Sequence, residues 1–439
     1  METEALRLLS SKFKDATIRP GFEYFVPDPT KPSEHQPAEY TKLVESDGLI
    51  IVDDIAILLE SKSVAMRAQS RTGHFARLKQ DLRRMVGDAA EQARRARERI
   101  HSDGGLRIRN GDWLDLSFVR EIHTVAVSLD DLSGIATVTT DLVEAGLLPD
   151  EELPWIVSLH DLRIITELVE RPSELVMYLR RRREPDVTRK FHAIDELDFF
   201  LYMYRRGLYV EPDPDRVQAE LPQLGEPSVS AKRRHKAQPL EFITTETGPL
   251  DAWYMSQLGI RQAASPKPTL NANPGILALV DDLARLNAPG WLSVGTTLLE
   301  ASAATQHQWS EYAEHLCRMT LQDRKAHTAT VVGGHTAAAS FVLVWATPEF
   351  GQSPSAARPR LAAYLRAKKY QLRVARGLVL LFDPPSRKLV DSIFTNDVWA
   401  FDEEIEEQVA TLKPVAQHSR SVPLARRAGK TRGARKKRR

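Results

Sequence analysis

Asp47 is followed, after twelve intervening residues, by Glu60-Ser61-Lys62 in the stretch ESDGLIIVDDIAILLESKS (45–63). Two carboxylates and an ammonium are the groups that metal-assisted phosphodiester hydrolysis needs. Hard carboxylate oxygens hold Mg²⁺ or Mn²⁺ and leave coordination positions for water and a phosphate oxygen. The ion acidifies that water and offsets the charge that grows at phosphorus. A lysine orients or deprotonates the water, or stabilises the transition state as a cation. On that chemistry Asp47, Glu60 and Lys62 are the candidate catalytic residues. Asp47 and Glu60 are the candidate metal ligands, with the Ser61 carbonyl as a third.

These side chains need two paired strands. Residues 45–52 and 55–62 are apolar, β-branched runs that meet at Asp53-Asp54, a dipeptide suited to a two-residue hairpin turn. Side chains alternate faces along a strand, so Glu60 and Lys62 share one face and Ser61 takes the other. An antiparallel hairpin closed at 53–54 pairs residues whose numbers sum to 107, which sets Asp47 opposite Glu60. Like charges in that position repel unless a cation lies between them. A turn role is expected for Asp53 and Asp54. Glu45, on the Asp47 face, is a candidate contact to a second ion or its water. Gln69 and Arg71, just past the second strand, are candidate substrate contacts.

The surrounding chain supplies a scaffold. A short helix is expected over 2–14, then a Pro-broken stretch from Pro20 to Pro37. Leu78, Leu82, Met85, Ala89, Ala93, Ala96 and Ile100 recur at steps of three and four, predicting a helix over 75–100 with one apolar stripe and arginine-rich flanks. Strands at 121–129 and 155–158 and helices at 141–145 and 159–168 complete an α/β unit over 1–170, a mixed sheet flanked by helices. Residues 171–210 read as a helical extension whose run Arg180–Arg183 is expected to be solvated. Residues 211–267, rich in Pro and polar residues, read as a linker. Residues 268–415 read as a smaller C-terminal α/β domain, with helices at 275–286, 292–304, 358–374 and 402–412 and strands at 339–346 and 377–382. Residues 416–439 read as a disordered basic tail.

The run E45-S-D47-G, an apolar strand pair and E60-S-K62 resembles the PD-(D/E)XK, or restriction-endonuclease-like, nuclease superfamily, especially its nuclease-related-domain branch. The resemblance covers roughly residues 1–170. It implies a restriction-endonuclease-like fold, a Mg²⁺ or Mn²⁺ cofactor held by Asp47 and Glu60, and Lys62 as catalytic lysine. It also implies that the next helix, with Gln92, Arg94 and Arg95, approaches substrate phosphates. Ser46 stands where the superfamily's name has proline, and Glu2 and Glu4 compete for the additional glutamate that a first helix often supplies.

Composition bounds the partners. The 439 residues are 42% hydrophobic and 27% charged, with net charge +2. No apolar run is long enough to span a membrane, and the charged N-terminus does not read as a secretory signal. Cys317 is the only cysteine, so internal disulfides and cysteine zinc sites are excluded and a reducing cytoplasm is expected. Ten basic and no acidic residues lie between Arg420 and Arg439, so the other 419 residues carry net −8. The tail, ending Arg435, Lys436, Lys437, Arg438 and Arg439, is expected to bind nucleic acid through phosphates, without sequence preference. The expected function is metal-dependent cleavage of nucleic acid, DNA favoured over RNA. The alternative is a catalytically silent nucleic-acid-binding or regulatory module.

Overall fold

Asp53 takes a left-handed backbone conformation (φ 54°), which with Asp54 closes the central hairpin of the larger sheet. The structure is a computed structural model describing residues 1–62, 75–130, 134, 136–146, 154–224, 226–260 and 263–412. Gln69, Arg71 and the basic tail from 413, including Arg435, Lys436, Lys437, Arg438 and Arg439, lie outside the described residues.

Strand β1 (Thr17–Val26) pairs antiparallel with β2 (Lys42–Val52), and β2 with β3 (Ile55–Lys62). A small hairpin of β4 (Gly105–Arg107) and β5 (Trp113–Asp115) follows the long helical segment. Then β6 (Glu121–Ser128) lies parallel to β3, and β7 (Trp155–Ser158) parallel to β6, giving the order β1-β2-β3-β6-β7. The sheet is mixed and its two faces are covered differently. Leu6 and Leu9 of the helix Glu2–Ser10 pack with Ile50, Ile57 and Leu59. On the other face Ala93, Ala96 and Ile100 of the helix Asp88–Asp103 pack with Leu49, Ile51, Ala56 and Leu58. The predicted stripe is buried from Leu82 to Ile100, and its alanines let that helix lie close to the sheet. A π-helical turn, Arg83–Gly87, interrupts the helical segment one turn before Gln92, a device often found beside functional sites.

A second sheet has the order β10-β11-β12-β13, formed by β10 (His327–Gly333), β11 (Phe341–Thr347), β12 (Arg376–Phe382) and β13 (Leu389–Thr395). Only β11 and β12 are parallel, joined by the helix Pro354–Leu372. The two sheets share a core: Ile57 and Val125 of the first and Trp345 and Leu380 of the second belong to one buried apolar cluster. The helices Pro172–Arg183, Glu196–Arg206, Pro274–Leu286 and Trp291–Glu300 contribute to the same cluster.

The structure corrects several expectations. The Pro-broken stretch contains β1, which is an edge strand and so tolerates a residue without an N–H at Pro20. The first helix stops at Ser10. The span read as a linker holds the helices Pro214–Glu220, Val229–Ala237 and Gly248–Gln257, and the short β9 (Glu241–Ile243), which pairs with β8 (Phe191–Ala193). In the C-terminal region β10 and β13 flank the two expected strands. The run Arg180–Arg183 is not solvated. Arg180 pairs with Glu121 and Glu300 at 2.7 Å each, Arg182 with buried Glu196 at 2.9 Å, and Arg183 donates to the Ile122 carbonyl. Desolvated guanidinium groups need such partners, and these partners are distant in sequence.

Candidate functional site

The hairpin register follows the sum of 107 from Val52↔Ile55 to Gly48↔Leu59, and the pairing ends there. Asp47 and Glu60 therefore do not sit as a simple cross-strand pair. The Asp47 carboxylate turns to the backbone of the neighbouring strand: its Oδ2 accepts the Ser61 amide at 2.6 Å and the Ser61 hydroxyl at 3.2 Å. Ser46, not Asp47, reaches Glu60, donating its hydroxyl to Oε1 at 3.1 Å. The ladder thus opens one pair before Asp47, whose carboxylate takes the Ser61 amide in place of a cross-strand partner. Gly48 also marks this place. A Cβ there would lie 3.1 Å from Leu6 Cδ1, so the first helix presses against the sheet beside the site.

Glu60 is fully buried. Its Oε2 has no hydrogen-bond partner, and the Lys62 ammonium stands 3.9 Å away. Burial first, and the charge of Asp47 second, push the Glu60 carboxyl up to about 8, against the opposing pull of Lys62 and Ser46. Lys62 donates to Oε1 of Gln92 on the Asp88–Asp103 helix, so the helix stripe and the E-x-K strand converge on one point. Tyr24 completes the wall. Its hydroxyl is buried without a partner, and burial followed by the charge of Glu60 raises its ionisation well above the ordinary tyrosine range.

The structure thus brings together Asp47, Glu60, Ser61, Lys62 and Gln92. Ser61 enters through its amide and hydroxyl. Arg94 pairs with Glu91 and Glu98, and Arg95 with Glu91, on the same helix. Glu45 is exposed opposite Glu23, while Glu4 is held by Arg7 and Arg163 on the helical layer covering the other face. Ser46 and Tyr24 join the site without having been expected there. The alternation of Phe22, Tyr24 and Val26 is the sequence signal for Tyr24, masked by the prolines around it.

The donor set suits a divalent cation. A desolvated carboxyl oxygen without a hydrogen-bond donor lies beside a second carboxylate, and the Lys62 ammonium 3.9 Å from it is engaged with Gln92. Among the described residues no group of three or more His, Cys, Asp or Glu side chains is gathered to hold a metal. Two carboxylates are available as ligands, a number that leaves room for the waters Mg²⁺ usually retains. Comparison with known proteins finds no matching family model, no matching curated protein and no matching solved structure. Among the described residues no helix is long and apolar enough to cross a membrane.

Proposed function

We propose that this chain is a Mg²⁺- or Mn²⁺-dependent nuclease acting on DNA, with the activity centred on Asp47, Glu60 and Lys62. The observation that carries the reading is the Glu60 Oε2 atom, buried without a hydrogen-bond partner beside Asp47 and 3.9 Å from Lys62. Asp47 and Glu60 would hold the ion, which when bound supplies an acidified water and charge stabilisation at phosphate. Ser61 fixes the Asp47 carboxylate by two hydrogen bonds, and Ser46 fixes Glu60 by one. Gln92 holds the Lys62 side chain in place, so its ammonium can orient the attacking water or meet the charge developing on a phosphate oxygen. The sequence resemblance to PD-(D/E)XK nucleases supports the same assignment.

The test is plasmid cleavage with Mg²⁺ or Mn²⁺. Lys62→Ala and Asp47→Ala should each lower the rate by about 10²-fold or more while leaving the circular dichroism spectrum unchanged. Cleavage that persists undiminished in both variants refutes the assignment. DNA binding without cutting under either ion would favour a silent binding module.

A further inference from the structure

The closed end of the β2–β3 hairpin forms one wall of a second, unrelated cleft of about 530 Å³. Its other walls are the Asn287–Trp291 connection and the segment from Phe394 to Asp397. A cleft of that size falls within the range that encloses small organic ligands.

Four carboxylates line it, from Asp15, Asp53, Asp54 and Asp397, and no lysine or arginine does. Three of the four have their visible bonds to neutral donors. Asp53 accepts the Gly290 and Leu292 amides at 2.8 and 3.0 Å. Asp15 accepts the Asn287 side-chain amide at 3.3 Å, and Asp397 the Thr395 hydroxyl at 2.7 Å. Nearby Lys369 and Arg120 donate to the backbone carbonyls of Asp397 and Asn396, not to carboxylates. Among the described residues no ion pair reaches Asp15, Asp53 or Asp397.

Asp54 gives the independent sign of a ligand. It is 3% exposed. Its Oδ2 receives Asn396 at 3.1 Å and Arg376 at 3.4 Å, whereas its Oδ1 is buried with no hydrogen-bond partner. A desolvated carboxylate oxygen left in that state is costly, and the group that would satisfy it is an N–H donor, best a charged one. Phe118, Trp291 and Phe394 line the same cleft. Aromatic faces add nothing for a hydrated metal ion but attract alkylammonium groups.

We infer that this cleft binds a small organic polycation of the linear polyamine class, one ammonium directed to Asp54 and the chain running past the aromatic rings toward the exposed carboxylates of Asp15 and Asp397. The site is separate from the carboxylate–lysine set, and its occupancy does not depend on nuclease activity.

Isothermal titration of the full-length protein with spermidine and with putrescine tests it, with Mg²⁺ alone as the inorganic probe. Saturable one-to-one binding of a polyamine is expected. Asp54→Asn should weaken it about tenfold or more, equivalent to about 1.4 kcal/mol for one charged hydrogen bond. Because Asp54 also holds Arg376, the exposed pair Asp15→Asn/Asp397→Asn serves as the second variant, and it too should weaken binding while the thermal melt is unchanged. No saturable heat with either polyamine overturns the proposal. So does affinity unaltered in both variants, or Mg²⁺ competing at equal concentration.

Discussion

Replacing Glu60 by glutamine isolates the electrostatic state of the candidate site without changing its shape. In the metal-free protein the Glu60 carboxyl is raised from 4.5 to about 8, by burial first and by Asp47 second. A folded-state value above the unfolded one means that the protonated acid is what the fold accepts. The associated stability is complete below pH 4.5 and is lost as the pH climbs through about 8. At about 1.4 kcal/mol per pH unit the whole span is worth about 5 kcal/mol, an upper figure because water entering the opened site would reduce it. Between about pH 5 and pH 9 the wild type should therefore lose about 4 kcal/mol through this one residue. Glu60→Gln keeps an oxygen for the Ser46 hydroxyl and cannot ionise, so it should escape that loss and be the more stable protein at high pH. Urea unfolding in EDTA at a series of pH values measures the difference. Parallel stability curves for wild type and variant across that range would show that Glu60 is not a desolvated acid, and a cation at Oε2 would then have no electrostatic rationale. Added Mg²⁺ should reverse the ranking at high pH, since only the glutamate can hold the ion.

Asp53→Ala removes the carboxylate that accepts the Gly290 and Leu292 amides at the start of the Trp291–Glu300 helix, and should cost about 1–2 kcal/mol in chemical unfolding. Glu121 is buried among charges; burial opposes its ionisation, yet Arg180 and Arg376 hold its carboxyl well below the ordinary range. Glu121→Gln leaves those guanidinium groups short of a counter-charge and should destabilise by about 3–5 kcal/mol, measured by thermal or urea melts. Deleting residues 418–439 should weaken DNA binding and flatten its salt dependence, by about 0.9 in the log–log slope for each phosphate no longer neutralised, as fluorescence anisotropy at several salt concentrations would read.

The parts of the site that are legible in the sequence are those governed by local rules. Asp53-Asp54 between two apolar runs sets the hairpin, and the alternation of strand faces sets Glu60 beside Lys62. The stripe from Leu82 to Ile100 predicts the helix that carries Gln92. What is not legible depends on partners far along the chain. Pro20 hides β1, because nothing local shows that a strand will be at a sheet's edge. The arginines at 180–183 read as solvated because Glu121, Glu196 and Glu300 are remote in sequence. The polar stretch after 211 reads as a linker, yet Asp213 and Ser228 cap short helices within it. The departure of Asp47 from its facing position goes with its hydrogen bonds to the Ser61 amide and hydroxyl, which strand periodicity does not encode.

The apolar cluster common to both sheets has a consequence for how such a chain can be inherited. A segment ending near residue 170 would carry away the hairpin while tearing Ile57 and Val125 from Trp345 and Leu380, and would strand Asp53 without the amides of Gly290 and Leu292. Recombination that grafts the first sheet onto a foreign neighbour should therefore yield aggregating products. Each core substitution on one side is therefore constrained by its packing partners on the other.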